Sequence, residues 1–97
     1  MINDMTRVEV TFHATMKELF GESAKDFALS GTPTLRSLLE ILCDSQDRRN
    51  RIFDGHGQIR QDATILLNGR NVVFLDGLET VLKNGDKIAV FPPVYGG

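Results

Sequence analysis

One stretch constrains this chain more than any other. Leu35, Leu38, Leu39 and Leu42 recur at i, i+3, i+4 and i+7, directly after the breaker cluster Gly31-Thr32-Pro33-Thr34. That spacing lines four leucines along one face of a helix. Thr34 stands where an N-cap is needed, with a hydroxyl able to accept a hydrogen bond from a first-turn amide. The pattern predicts a helix over 35–47. Fully burying one leucine contributes about 1.5–3 kcal/mol, so the stripe must face a core. The rest of the chain has to supply the surface that covers it.

That surface reads as strands. Val8, Val10 and Phe12 alternate with Glu9, Thr11 and His13, which predicts a half-buried strand over 7–14. Thr15 to Phe20 is short and mixed and ends at Gly21, so a loop or a single helical turn fits. Phe27 and Leu29 alternate with Asp26, Ala28 and Ser30, predicting a second strand over 25–30 that pairs with the first. Residues 50–62 form a polar connection, with turn chemistry at Asp54-Gly55-His56-Gly57. Thr64 to Leu67 is β-rich and runs into Asn68-Gly69, a strong hairpin signal, with a short return strand expected within 71–75. After a turn at Asp76-Gly77, Leu78 and Leu82 are four apart and predict a short helical turn on the core. Asn84-Gly85-Asp86 turns the chain into a last strand, Lys87 to Phe91, with Ile88 and Val90 on one face. Pro92-Pro93 ends that strand, because proline cannot donate to a ladder. The order strand, strand, helix, strand, short strand, strand predicts one α+β domain, a helix packed across one mixed sheet.

Size and charge remove several function classes. A chain of 97 residues builds one modest core and leaves little for a deep, walled active site. The net charge is -2 and no basic stripe is present, which argues against nucleic acid as a partner. The cluster Arg48, Arg49 and Arg51 suits a helix C-terminus, where cations complement the dipole, better than a phosphate grip. A single cysteine, Cys43, cannot form an internal disulfide and fits a reducing compartment. Flanking the leucine stripe, it reads as a small core residue rather than a nucleophile. No apolar run approaches a membrane span, and Met1 to Thr6 lack the apolar core of a secretory signal. A cytoplasmic location and no membrane contact are the expectations.

The search for catalytic chemistry comes back empty. His13 and His56 are far apart, with no second ligand at a metal-binding spacing. There is no phosphate-cradling loop and no nucleophile elbow. The carboxylate pairs Glu22 with Asp26 and Asp44 with Asp47 read as solvated surface. No bound cofactor is expected. What remains is Pro92-Pro93-Val94-Tyr95-Gly96-Gly97. Two prolines favour a stiff, extended exit from the last strand. Two glycines without Cβ can thread a narrow slot, leaving the Gly97 carboxylate unhindered. Read alone, the segment is better taken as a frayed end.

The wider pattern separates those readings. Leu66-Leu67-Asn68-Gly69-Arg70, followed by Leu82-x-x-Gly85-Asp86-x-Ile88-Ala89-Val90-Phe91-Pro92-Pro93-Val94-Tyr95-Gly96-Gly97, resembles the small subunit of molybdopterin synthase and its ubiquitin-like sulfur-carrier relatives. Phe12-His13-Ala14, Glu18-Leu19-Phe20-Gly21 and Thr34-Leu35-x-x-Leu38-Leu39 fit the same family in order and spacing. Two further stretches, Arg51 to Arg60 and Val72 to Thr80, resemble the archaeal-type branch and carriers serving cysteine synthesis. Some members of that branch are ligated to lysines of other proteins.

The resemblance implies a ubiquitin-like β-grasp domain over 1–91, with 1–6 disordered and 92–97 a flexible tail. It implies a protein that is the substrate of an activating enzyme rather than an enzyme itself. An E1-like partner would use ATP to adenylate the Gly97 carboxylate, and a sulfur donor would convert it to a thiocarboxylate. A second partner, such as a large molybdopterin synthase subunit, would receive the sulfur. Alternatively, Gly97 would be joined to target-protein lysines, or the chain would be a plain interaction module. The implied site residues are Gly97 and Gly96 for the chemistry. The implied partner contacts are Phe91, Pro92, Pro93, Val94, Tyr95, His13 and Arg70. His13 is expected on the outward, exposed face of the first strand. For Phe91, core packing and interface use both remain open.

Overall fold

The computed structural model describes residues 5–92. Met5–Phe12 forms β1, Thr15–Phe20 a short helix α1, and Ala24–Ser30 β2. The leucine stripe is α2, Leu35–Leu42, followed by α3, Gln46–Ile52. Thr64–Leu67, Arg70–Asn71 and Lys87–Phe91 are β3, β4 and β5. The strands make one sheet in the order β2-β1-β5-β3-β4. β1 and β5 run parallel at its centre, and the other pairs are antiparallel. This is the α+β fold that the element order predicts, in the ubiquitin-like β-grasp arrangement that the resemblance implies.

The helical stripe does what its periodicity requires. Leu35, Leu38 and Leu39 are fully buried, and Leu42 nearly so. They meet Val8, Val10 and Phe12 of β1 and Ile88 and Val90 of β5 in one cluster. Thr34 caps the helix reciprocally with Ser37: each side chain accepts the other's backbone N–H. Such a box satisfies two donors that a helix start would leave orphaned. Phe12 and Phe20 stack at 4.5 Å between centroids, tying α1 to the core.

Several boundaries differ from the expectations. β1 begins at Met5 and ends at Phe12, so Met5 and Thr6 belong to the sheet and not to a disordered leader. The helix predicted over 35–47 stops at Leu42. Cys43 closes it with its N–H on the Leu39 carbonyl, and Ser45 caps a second helix by accepting the Arg48 N–H. The break re-aims the chain so that Ile52 and Phe53 reach the core. The three arginines therefore lie within α3. Arg48 pairs with Asp44, while Arg49 makes a two-pronged bond to Glu40 that joins α3 to α2. The Arg49 guanidinium holds the Glu40 carboxyl below its usual range.

The return strand after Asn68-Gly69 shrinks to Arg70–Asn71. The Asn71 side chain then accepts the Val73 N–H and starts a 3₁₀ turn, Val72–Phe74, which sends Val72 inward. A second 3₁₀ turn, Gly77–Glu79, carries the expected Leu78 into the core. Its buried Thr80 hydroxyl donates to the Gly77 carbonyl and accepts the Asp76 N–H. Turn-forming side chains win here because they satisfy backbone groups locally that a strand would leave unpaired.

Candidate functional site at the end of the last strand

β5 carries one face into the core and offers the other to the surroundings. Ile88 and Val90 are fully buried, so Lys87, Ala89 and Phe91 must point outward. Register then assigns their neighbours. Phe91 lies opposite Thr64, and Ala89 sits between Leu66 of β3 and Thr11 of β1. These side chains, with His13, make a half-buried, largely apolar patch at the end of the sheet from which the chain leaves.

His13 is not the freely exposed residue that strand alternation predicts. Its ring stacks on the Phe91 ring, with centroids 4.3 Å apart and planes inclined by 10°. The Thr11 hydroxyl is 2.9 Å from His13 Nε2, and the His13 N–H donates to the Val90 carbonyl at 3.1 Å. β1 therefore extends its pairing with β5 by one bond past its last regular residue. The chain then turns sharply. Ala14 has φ 52° and ψ −130°, and the Met16 N–H closes the turn on the His13 carbonyl at 3.0 Å. These angles match the second position of a type II′ turn, which normally calls for glycine. The strained alanine directs the chain from β1 into α1 immediately after His13.

The other sequence-derived site residues divide sharply. Pro92 follows Phe91 at the patch and is half-buried. Pro93, Val94, Tyr95, Gly96 and Gly97 lie outside the described residues. Arg70 does not join the patch. It pairs with Leu67, which lies opposite Ile88 near the start of β5, so it stands two strands over and toward the opposite end. It lines a separate depression with Leu67, Leu75, Val81 and Lys83. The hairpin at Asn68-Gly69 carries Arg70, which the resemblance implies as a partner contact, away from β5. Thr11, Thr64, Leu66 and Ala89 were missed. The signal for them was available: each alternates with a core residue on its strand.

Among the described residues, no other group assembles a competing centre. Cys43 is 4% exposed, and burial pushes its thiol up to about 11, which suppresses the thiolate that nucleophilic chemistry needs. His56 is exposed in a loop where the Asp54 carboxylate accepts the His56 and Gln58 N–H groups. A depression of about 620 Å³ lies beside that loop, lined by Asn50, Phe53 and Asp62. Its Arg60 is paired with Asp62 and donates to the Asn50 carbonyl. Among the described residues, no three His, Cys, Asp or Glu side chains gather as a metal-ligand set. No helix among them is long and apolar enough to cross a membrane.

The sheet order and its covering helix are those of the ubiquitin-like β-grasp, the fold of small ubiquitin-like carrier and modifier proteins. Comparison with known proteins narrows it. The model of the ThiS family matches residues 10–97, and the chain belongs to that family. It is 34% identical over 90 residues to small archaeal modifier protein 3 of Haloferax volcanii, covering 93% of this chain and 98% of that protein. The solution structure of a Haloferax volcanii protein superposes with a TM-score of 0.84 at 33% identity, covering 99% of this chain and 91% of that one. Small archaeal modifier protein 1 of Methanosarcina acetivorans follows with a TM-score of 0.78 at 29% identity, covering 98% and 100%.

Proposed function

We propose that this protein is a ubiquitin-like sulfur carrier whose Gly97 carboxylate is adenylated by an E1-like enzyme and converted to a thiocarboxylate. The observation that carries the reading is the family match, which extends through Gly96-Gly97. The chemistry divides between the partners. A carboxylate is a poor electrophile at neutral pH. The activating enzyme, using ATP, would supply the leaving group and the stabilisation of developing charge. This chain would supply recognition and delivery. The patch around Phe91 would dock on the enzyme, and Pro92-Pro93 would lead the glycines toward a slot that admits no Cβ. A sulfur donor would then displace AMP. Sulfur delivery to a synthase such as that of molybdopterin, or to another thiolation target, would follow.

The likeness to two proteins named as archaeal modifiers favours a second reading, in which the same acyl-adenylate is passed to lysines of other proteins. Both begin with adenylation at Gly97, so one chain can serve both.

Intact mass of the protein from its native host, purified under reducing conditions, tests them. Replacement of one oxygen by sulfur, lost when Gly96-Gly97 are deleted, supports the carrier. An unmodified mass together with lysines branched by this tail supports the modifier. With neither signal, an interaction module is left.

A further inference from the structure

We propose that His13 is a positioning residue: held by Thr11 and by the strained turn at Ala14, it clamps the Phe91 ring and so presets the docking patch. This inference rests on the reading that the patch docks on an activating enzyme, and assigns to Thr11 and His13 a part in it that packing alone does not require.

Three independent features converge on the His13 ring. First, it lies nearly parallel to Phe91, inclined by 10° at 4.3 Å, a close stacked arrangement for an outward-facing pair. Second, the Thr11 hydroxyl reaches Nε2 at 2.9 Å and fixes the rotation of the imidazole, whichever ring nitrogen carries the proton. Third, the backbone on either side is constrained. The His13 N–H is bonded to the Val90 carbonyl, and Ala14 is kept at φ 52°, where an L-residue rarely stays without support. The core does not demand this: Phe12 and Val90, the neighbours that fill it, are already fully buried.

The clamp acts on one side chain. Phe91 is the last residue of β5 and the one next to Pro92. An outward phenylalanine without a partner would sample several rotamers, and binding would have to freeze one of them. A ring already immobilised spares that ordering. His13 therefore serves recognition through Phe91 and leaves the reacting carboxylate to the partner.

The test is ATP–pyrophosphate exchange by the host's E1-like enzyme, with the full-length chain as the varied substrate. His13→Ala should raise KM about three- to tenfold and leave kcat unchanged, because ground-state and transition-state binding are weakened equally. His13→Phe, which keeps a stacking ring, should return KM to within about twofold of wild type. Thr11→Val, which frees the imidazole, should fall between. Proton NMR of each variant reports the clamp directly: the Phe91 ring signals lose their stacking shift in His13→Ala and retain it in His13→Phe. Wild-type KM in His13→Ala overturns the proposal, and so does a His13→Phe variant as weak as His13→Ala. Absence of exchange with the wild-type chain, or exchange that survives deletion of Gly96-Gly97, would overturn the underlying functional reading instead.

Discussion

The two faces of the sheet are built from the same strands by opposite rules. The centre of the inner face is apolar: Val8, Val10, Phe12, Ile65, Ile88 and Val90 are all less than 5% exposed. The outer face changes character along its length. Near the start of β5 it carries Glu9 flanked by Asp26 and Lys87. Near the end of β5 it carries Ala89, Leu66, His13 and Phe91. The centre of the inner face can be apolar because α2 covers it. A contiguous apolar patch on an outer face is a candidate docking surface. On the proposed function, the difference teaches that stability and recognition are separated across one sheet, a strand's thickness apart.

The comparison can be broken by treating the two faces alike. Leu38→Ala on the inner side should cost about 2–5 kcal/mol, read as a lower urea midpoint, since it deletes fully buried atoms and leaves a cavity. An unfolding free energy within about 1 kcal/mol of wild type would show that the core collapses around the gap. Phe91→Ala on the outer side should do the reverse. It should reduce the efficiency of adenylation by about tenfold or more, equivalent to about 1.4 kcal/mol, while the urea midpoint moves little. If stability falls as far as in Leu38→Ala, Phe91 is a core residue and the patch loses its anchor.

Ala14→Gly sharpens the picture at the junction of the faces. Gly occupies φ 52° without penalty, so the variant should gain about 1 kcal/mol in chemical denaturation. A loss would mean that the turn is not strained. Arg70→Ala should change the KM for the activating enzyme by less than about twofold, because Arg70 stands at the far end from the tail. A larger rise would extend the interface around the β3–β4 hairpin. The smallest expected signal concerns Cys43. Its thiol, pushed up to about 11, should resist alkylation in the folded protein at pH 8 and react on unfolding. Because the folded state retains this proton longer than the unfolded chain, its contribution to stability is lost as pH rises from the ordinary thiol range toward 11.

Periodicity made most of the architecture legible. The Leu35 to Leu42 stripe, the alternation in β1, β2 and β5, and the Asn68-Gly69 and Asn84-Gly85 turns each encode a local choice, and the core follows from adding them. Local signals failed where two of them competed. Ser45 is both a tolerable helix residue and a strong cap, and only the need to deliver Ile52 and Phe53 to the core decides for the cap. Val72 to Leu75 resembles a strand, yet the Asn71 side chain takes the Val73 amide and bends it into a 3₁₀ turn. The site was legible only in part. Phe91 and Pro92 are visible in the motif, whereas the position of Arg70, two strands over from β5, follows only from the strand pairing.

What this sequence determined by itself is the set of faces: which residues share a helix stripe, which alternate on a strand, and how the last strand ends at proline. Those follow from bond geometry and burial within a few residues of chain. What only the tertiary structure decided is which strands lie side by side. Thr11 and His13 come within reach of Ala89 and Phe91 because β1 and β5 pair in parallel at the centre of the sheet, more than seventy residues apart in the chain. That pairing is chosen by the shared core beneath it, and no local signal in either strand contains it.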